Sequence, residues 1–112
     1  MQELKIKQKC EDMIVYAYTA LRQYPRAEKY GMAADTKAAM YELLRLIIVC
    51  NKKYYKKTTM QEVDTQLDII RSFVRMAFKM KYINFHKYEV WIARLDEIGR
   101  MIGGWAKAQR DK

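Results

Sequence analysis

Along the first stretch of the chain, Ile6, Cys10, Met13, Ile14, Ala17, Ala20, Leu21 and Tyr24 recur at spacings of three and four, the period of one helix face. This spacing predicts an amphipathic helix over about 4–24. Pro25 stops it, because the residue before a proline avoids the helical region. A second segment, about 33–55, is apolar on nearly every side at its centre, Met40 to Cys50. The run Leu46 to Cys50 alone suits a buried strand, but a segment this long without a turn signal predicts a helix, buried on several faces. Lys52, Lys53, Lys56 and Lys57 close it, cations that suit the exposed carbonyls of a helix C-terminus.

The third segment, about 59–82, opens on Thr59 with Glu62 three residues on, the pattern of a capping box. Two apolar stripes run along it. One is Met60, Val63, Leu67, Ile70, Val74 and Ala77; the other is Ile69, Phe73, Met76, Met80 and Ile83. One core needs one stripe, so the second, with Phe73 and Met76 at its centre, predicts another partner helix or another subunit. The fourth segment, about 85–109, has Asn84 as its N-cap and the stripe Phe85, Tyr88, Trp91, Ile92, Leu95, Ile98, Ile102 and Trp105. Gly99 and Gly103 lie one turn apart on its side, with Ala106 near. Small residues at that spacing admit a second backbone, either within the chain or from another subunit. Four amphipathic helices with short connections predict an all-α, antiparallel up-down four-helix bundle, spanning 1–112 as one domain. So small a domain gains from a subunit interface, and a homo-oligomer is expected.

Charge adds the kind of partner. The 112 residues hold 22 Lys and Arg against 13 Asp and Glu, a net charge of +9, with 51% apolar and 31% charged residues. That composition folds, and its field attracts polyanions, nucleic acid first. An acidic protein, an anionic membrane or mere solubility are the other uses of such a charge. Arg71, Arg75 and Lys79 recur every four residues, one stripe expected to be largely unpaired beyond Asp64 and Asp68. Lys52, Lys53, Lys56 and Lys57 flank Tyr54 and Tyr55; lysines neutralise phosphates and tyrosines stack on unpaired bases. Arg45 interrupts an apolar run and calls for a partner such as Glu42 or a wet channel. Arg94 and Arg100 complete the candidate binding set. Lys5, Lys7, Lys9 and Lys112 are read as solvated.

Candidate chemistry is thin. The chain has one serine, Ser72, and one histidine, His86, neither placed for nucleophilic catalysis or zinc binding. Asp64 and Asp68, one turn apart, form at most a weak metal pair; charge complement to Arg71 is the better account. The four glycines form no phosphate-binding loop. The chain is therefore read as a non-enzyme with no cofactor and no metal. Cys10 and Cys50 are read as reduced core fillers. No apolar leader opens the sequence and no stretch approaches the roughly 20 apolar residues of a membrane span, so a cytoplasmic protein without membrane contact is expected.

The run Glu97-Ile98-Gly99-Arg100-Met101-Ile102-Gly103-Gly104-Trp105-Ala106-Lys107 resembles the C-terminal signature of the accessory variability determinant (Avd) proteins, small four-helix proteins encoded beside the reverse transcriptase of diversity-generating retroelements. Gln23 to Tyr30 resembles the family's K-F-P-K connection, with Tyr24 standing where the pattern has Phe. Leu43 to Tyr54 resembles its second helix, and Leu67 to Ala77, ending Val74-Arg75-Met76-Ala77, its third. The resemblance implies a basic homopentameric barrel of four-helix protomers that binds the reverse transcriptase and nucleic acid, RNA and also DNA. It implies support of mutagenic retrohoming, with the catalytic residues in the polymerase. The alternatives are the four-helix proteins encoded in intervening sequences of ribosomal RNA genes, which share the bundle without the Gly-Gly-Trp ending, and a generic basic helical interaction module.

Overall fold

A computed structural model of the chain describes residues 2–110, with side chains from residue 3. It contains four α-helices, α1 (Gln2–Leu21), α2 (Met32–Lys52), α3 (Lys57–Lys79) and α4 (Phe85–Arg110), and one 3-10 turn, Arg26–Glu28. Among the described residues there is no strand. Each helix packs on two others: α1 on α2 and α4, α3 on α2 and α4. The result is a four-sided rod of 47 × 24 × 19 Å. Asn51 Nδ2, at the end of α2, donates to the Glu3 carbonyl near the start of α1, and Gln66 Nε2 ties α3 to the Ala39 carbonyl of α2.

The core follows the apolar period closely in two helices. All eight apolar positions named for the first helix are buried, and so is the whole first stripe of α3. With them lie Met40, Leu43, Ile47, Trp91, Leu95 and Ile98, all fully enclosed. Each such side chain contributes about 1.5–3 kcal/mol on leaving water. The second stripe of α3 stays outside: Ile69, Met76 and Met80 are exposed and Phe73 is half-buried. Its last member, Ile83, is buried instead, because it lies beyond the end of the helix. In α2 the enclosure is narrower than its composition suggests. One face is buried, Leu44 is only partly covered, and Tyr41 and Arg45 are exposed. Phe85 likewise sits outside the core, against Phe78 at 6.0 Å between ring centroids.

Helix ends depart from the expected ones for identifiable reasons. The helix α1 stops at Leu21, and residues 22–24 tighten into a turn through Gln23 N–H to Ala20 and Tyr24 N–H to Leu21. The expected capping box at Thr59 does not form. The helix α3 begins earlier, with Lys56 at the N-cap, and Thr59 is turned inward and buried with its hydroxyl unpaired. At the other end of α3, Lys81 adopts φ 63° while its N–H bonds to Phe78 and that of Tyr82 to Ala77, each at 2.9 Å. Those paired bonds form a Schellman closure, here built on a lysine instead of the usual glycine. Asn84 does cap α4: its Oδ1 accepts from Lys87 N–H at 2.8 Å.

Candidate nucleic-acid interface

The basic residues sort by what already holds them. Arg71, expected to lead a free stripe, is committed within the protomer. Its Nε donates to Asp96 at 2.9 Å and its Nη1 to Asp68 at 2.8 Å, and its side chain is only 19% exposed. Periodicity places Asp68 beside Arg71, but Asp96 arrives from α4 and is invisible to it. Arg75 and Lys79 remain exposed and make no ion pair among the described residues; Arg75 bonds the Ser72 hydroxyl, at 3.2 Å. Arg45 pairs with Glu42 as its spacing suggests, but on an exposed face and not inside an apolar helix. Arg94 lies 5.1 Å above the Tyr16 ring, and Arg100 is exposed without an ion pair among the described residues. Lys7 and Lys9 pair with Glu11 and Glu97 on the surface. Lys112 lies outside the described residues.

Gly99 explains how Arg71 fits. A methyl group on its Cα would stand 2.6 Å from the Arg71 guanidinium, so the missing side chain is the space the cation occupies. Gly103, one turn on, meets nothing within 4 Å. Two glycines with one spacing therefore have different surroundings. Trp105 is buried rather than presented, and Lys56 Nζ stands 5.6 Å from the centre of its ring.

That same ammonium closes α2. Lys56 Nζ donates to the carbonyls of Cys50 at 2.7 Å, Asn51 at 3.4 Å and Lys53, satisfying acceptors that a helix end leaves open. Lys56 is therefore a structural cation, whereas Lys52, Lys53 and Lys57 are exposed and make no ion pair among the described residues. Between this corner and the last turns of α4 runs a groove of about 790 Å³. Tyr54, Tyr55 and Lys57 form one wall, Gly103 and Ala106 the floor, and Arg110 the far side. Arg110 gains its place only through tertiary packing. A smaller groove of about 340 Å³ between α2 and α3 carries Glu42 and Glu62, the wrong charge for a polyanion.

Burial pushes the Cys10 thiol up to about 12, with help from Glu11, and raises that of Cys50 as well; thiols held protonated are poor nucleophiles. Asp68 is occupied by Arg71, and among the described residues no three His, Cys, Asp or Glu side chains converge on a metal position. Among them, too, no helix is long and apolar enough to cross a membrane.

No curated protein matches the chain. The bAvd-like family profile matches residues 4–109, which takes in all four helices and the Gly99 to Trp105 run. The chain belongs to the bAvd-like family.

Proposed function

We propose that this chain is a non-catalytic accessory protein of a diversity-generating retroelement, binding the element's reverse transcriptase and its template RNA or cDNA during mutagenic reverse transcription and retrohoming. Family membership across residues 4–109 carries the assignment and suggests the accessory role. The charge distribution supports it: Lys53, Lys57, Arg75, Lys79 and Arg100 are exposed and answer to no carboxylate among the described residues. In this scheme the helices alternate up and down, in keeping with the Asn51 to Glu3 and Lys87 to Thr19 contacts between helix ends. Copies associate through the uncovered α3 stripe, Ile69, Phe73, Met76 and Met80, five to a ring as in the Avd resemblance. The protein works in the cytoplasm. A ring repeats one weak basic patch several times and raises avidity for a long strand.

The test is joint expression with the neighbouring reverse transcriptase. The polymerase is expected to co-purify, and RNA affinity to fall when Arg75, Lys79, Lys53 and Lys57 are reversed to Glu. A wild-type protein that retains neither polymerase nor RNA in dilute salt overturns the assignment.

A further inference from the structure

We infer that the α2–α3 corner is a stacking site for unpaired nucleotides, with Tyr54 and Tyr55 holding bases and Lys53, Lys57 and Arg110 holding the adjoining phosphates. This rests on the nucleic-acid role proposed above and specifies it: single strands, at one place on each protomer.

Four observations converge. Tyr54 and Tyr55 are 87% and 85% exposed, so neither ring is used to build the core. They meet edge to face, with centroids 4.8 Å apart and planes at 84°. That arrangement leaves one ring open on both faces and the other open on one. The loop carrying them is fixed, because Lys56 grips the carbonyls on both sides of Lys52 and rests over buried Trp105. A platform that is already rigid loses little freedom when a base settles on it. The groove beside the rings has a floor without side-chain relief at Gly103, where 4 Å of open space lies above the missing Cβ. Of its cations, Lys56 is held by backbone carbonyls, while Lys57 and Arg110 have no ion-pair partner among the described residues, and Asp64 is the one carboxylate lining it.

The exposed rings decide between strand types. A duplex hides the faces of its bases within its own stack and offers phosphates alone, whereas unpaired bases offer π faces to aromatic side chains. Tyr30 is a useful contrast: it is equally exposed, with Lys29 above it at 5.4 Å. No second ring meets it among the described residues, and it lines neither of the two grooves described above.

The experiment is fluorescence anisotropy of the full chain with a labelled single-stranded RNA of about twelve nucleotides, within the span one such surface covers, and with the same RNA annealed to its complement. The double variant Tyr54→Ala, Tyr55→Ala is expected to weaken single-strand binding by about ten-fold or more. The double variant Tyr54→Phe, Tyr55→Phe is expected to bind as the wild type does, and duplex binding to be unchanged in both. Alanine variants that bind the single strand like the wild type, or that lose single strand and duplex equally, overturn the stacking site. So do alanine variants that keep RNA but lose the reverse transcriptase, since the corner then serves a protein. A wild type that binds neither RNA overturns the broader nucleic-acid role as well, and is told apart by that result alone.

Discussion

Two tyrosine pairs in ring contact lie at opposite ends of α2, and they have opposite fates. Tyr24 and Tyr82 meet at 5.6 Å where the connection 22–31 touches the connection 80–84. Tyr24 is buried, and the Tyr82 hydroxyl donates to Glu28 at 2.8 Å. The same carboxylate accepts the Met32 N–H at 3.0 Å, and Asn84 N–H reaches the Gln23 side chain at 3.1 Å. Tyr54 and Tyr55 meet even closer, yet both point into solvent beside the exposed Lys53 and Lys57. At the first end, polar groups and rings are consumed in joining two loops to two helices. At the second, Lys56 and the Asn51 to Glu3 bond make the joint, and both rings are left facing outward. Aromatic content alone therefore does not distinguish scaffold from surface; what the neighbouring carboxylates and carbonyls already hold does.

The largest test of that contrast is truncation. Replacing Tyr24 by alanine is expected to lower the unfolding free energy by about 3–5 kcal/mol in urea titrations, as for other buried aromatic residues. Tyr54→Ala is expected to stay within about 0.5 kcal/mol of wild type. Equal losses would mean that the outward pair is structural after all.

A second comparison separates the two glycines of α4. Gly99→Ala is expected to destabilise by about 1 kcal/mol, the gain in helix propensity being outweighed by displacement of Arg71 from its charged hydrogen bonds. In an Arg71→Ala background the same change is expected to become stabilising by about 0.5–1 kcal/mol. Gly103→Ala is expected to stabilise by that amount in either background, since nothing stands near its Cα. Chemical denaturation of the variants reads all of these, and a Gly99→Ala effect that ignores Arg71 would remove the explanation of that glycine.

Lys81→Gly probes the closure of α3. A lysine at φ 63° carries strain that glycine lacks, so the variant is expected to be more stable by about 1 kcal/mol in a thermal melt. The smallest effect is acid sensitivity. The Met32 N–H, and then the Tyr82 hydroxyl, hold the Glu28 carboxyl below its ordinary value. A depressed pKa contributes stability that is present above the unfolded value and is lost as pH falls through the folded one. Stability should therefore decline below pH of about 4.3, the usual glutamate value, and Glu28→Gln should flatten part of that decline. Glu42, lowered chiefly by its hydrogen bond from Arg45, supplies a separate acid response that the variant leaves in place.

Much of the fold was legible because burial here repeats at the helical period. The buried faces of α1 and α3 are those the spacing names, and three of the five in the left-over stripe, Ile69, Met76 and Met80, are exposed. Helix ends were less legible, since Thr59 followed by Glu62 has the pattern of a cap but Thr59 faces the core, and since a lysine takes the left-handed position that glycine usually marks. The candidate site was legible as residue types and not as availability. Spacing puts Arg71, Arg75 and Lys79 on one face, but only packing brings Asp96 across to occupy the first of them. Lys56 was indistinguishable from Lys57 until the carbonyls of α2 came within its reach. Arg110 had no local signal at all.

The uncovered stripe of α3 ends in Met76 and Met80, 47% and 50% exposed, while Met13, Met40 and Met60 are enclosed. Thioethers are soft, unbranched and adaptable, which lets such a face mould itself to an imperfectly matched surface. The same atoms are the ones an oxidant meets first. Peroxide would turn them into sulfoxides and make a greasy strip polar while the interior stayed intact, so this face is more perishable than the fold beneath it.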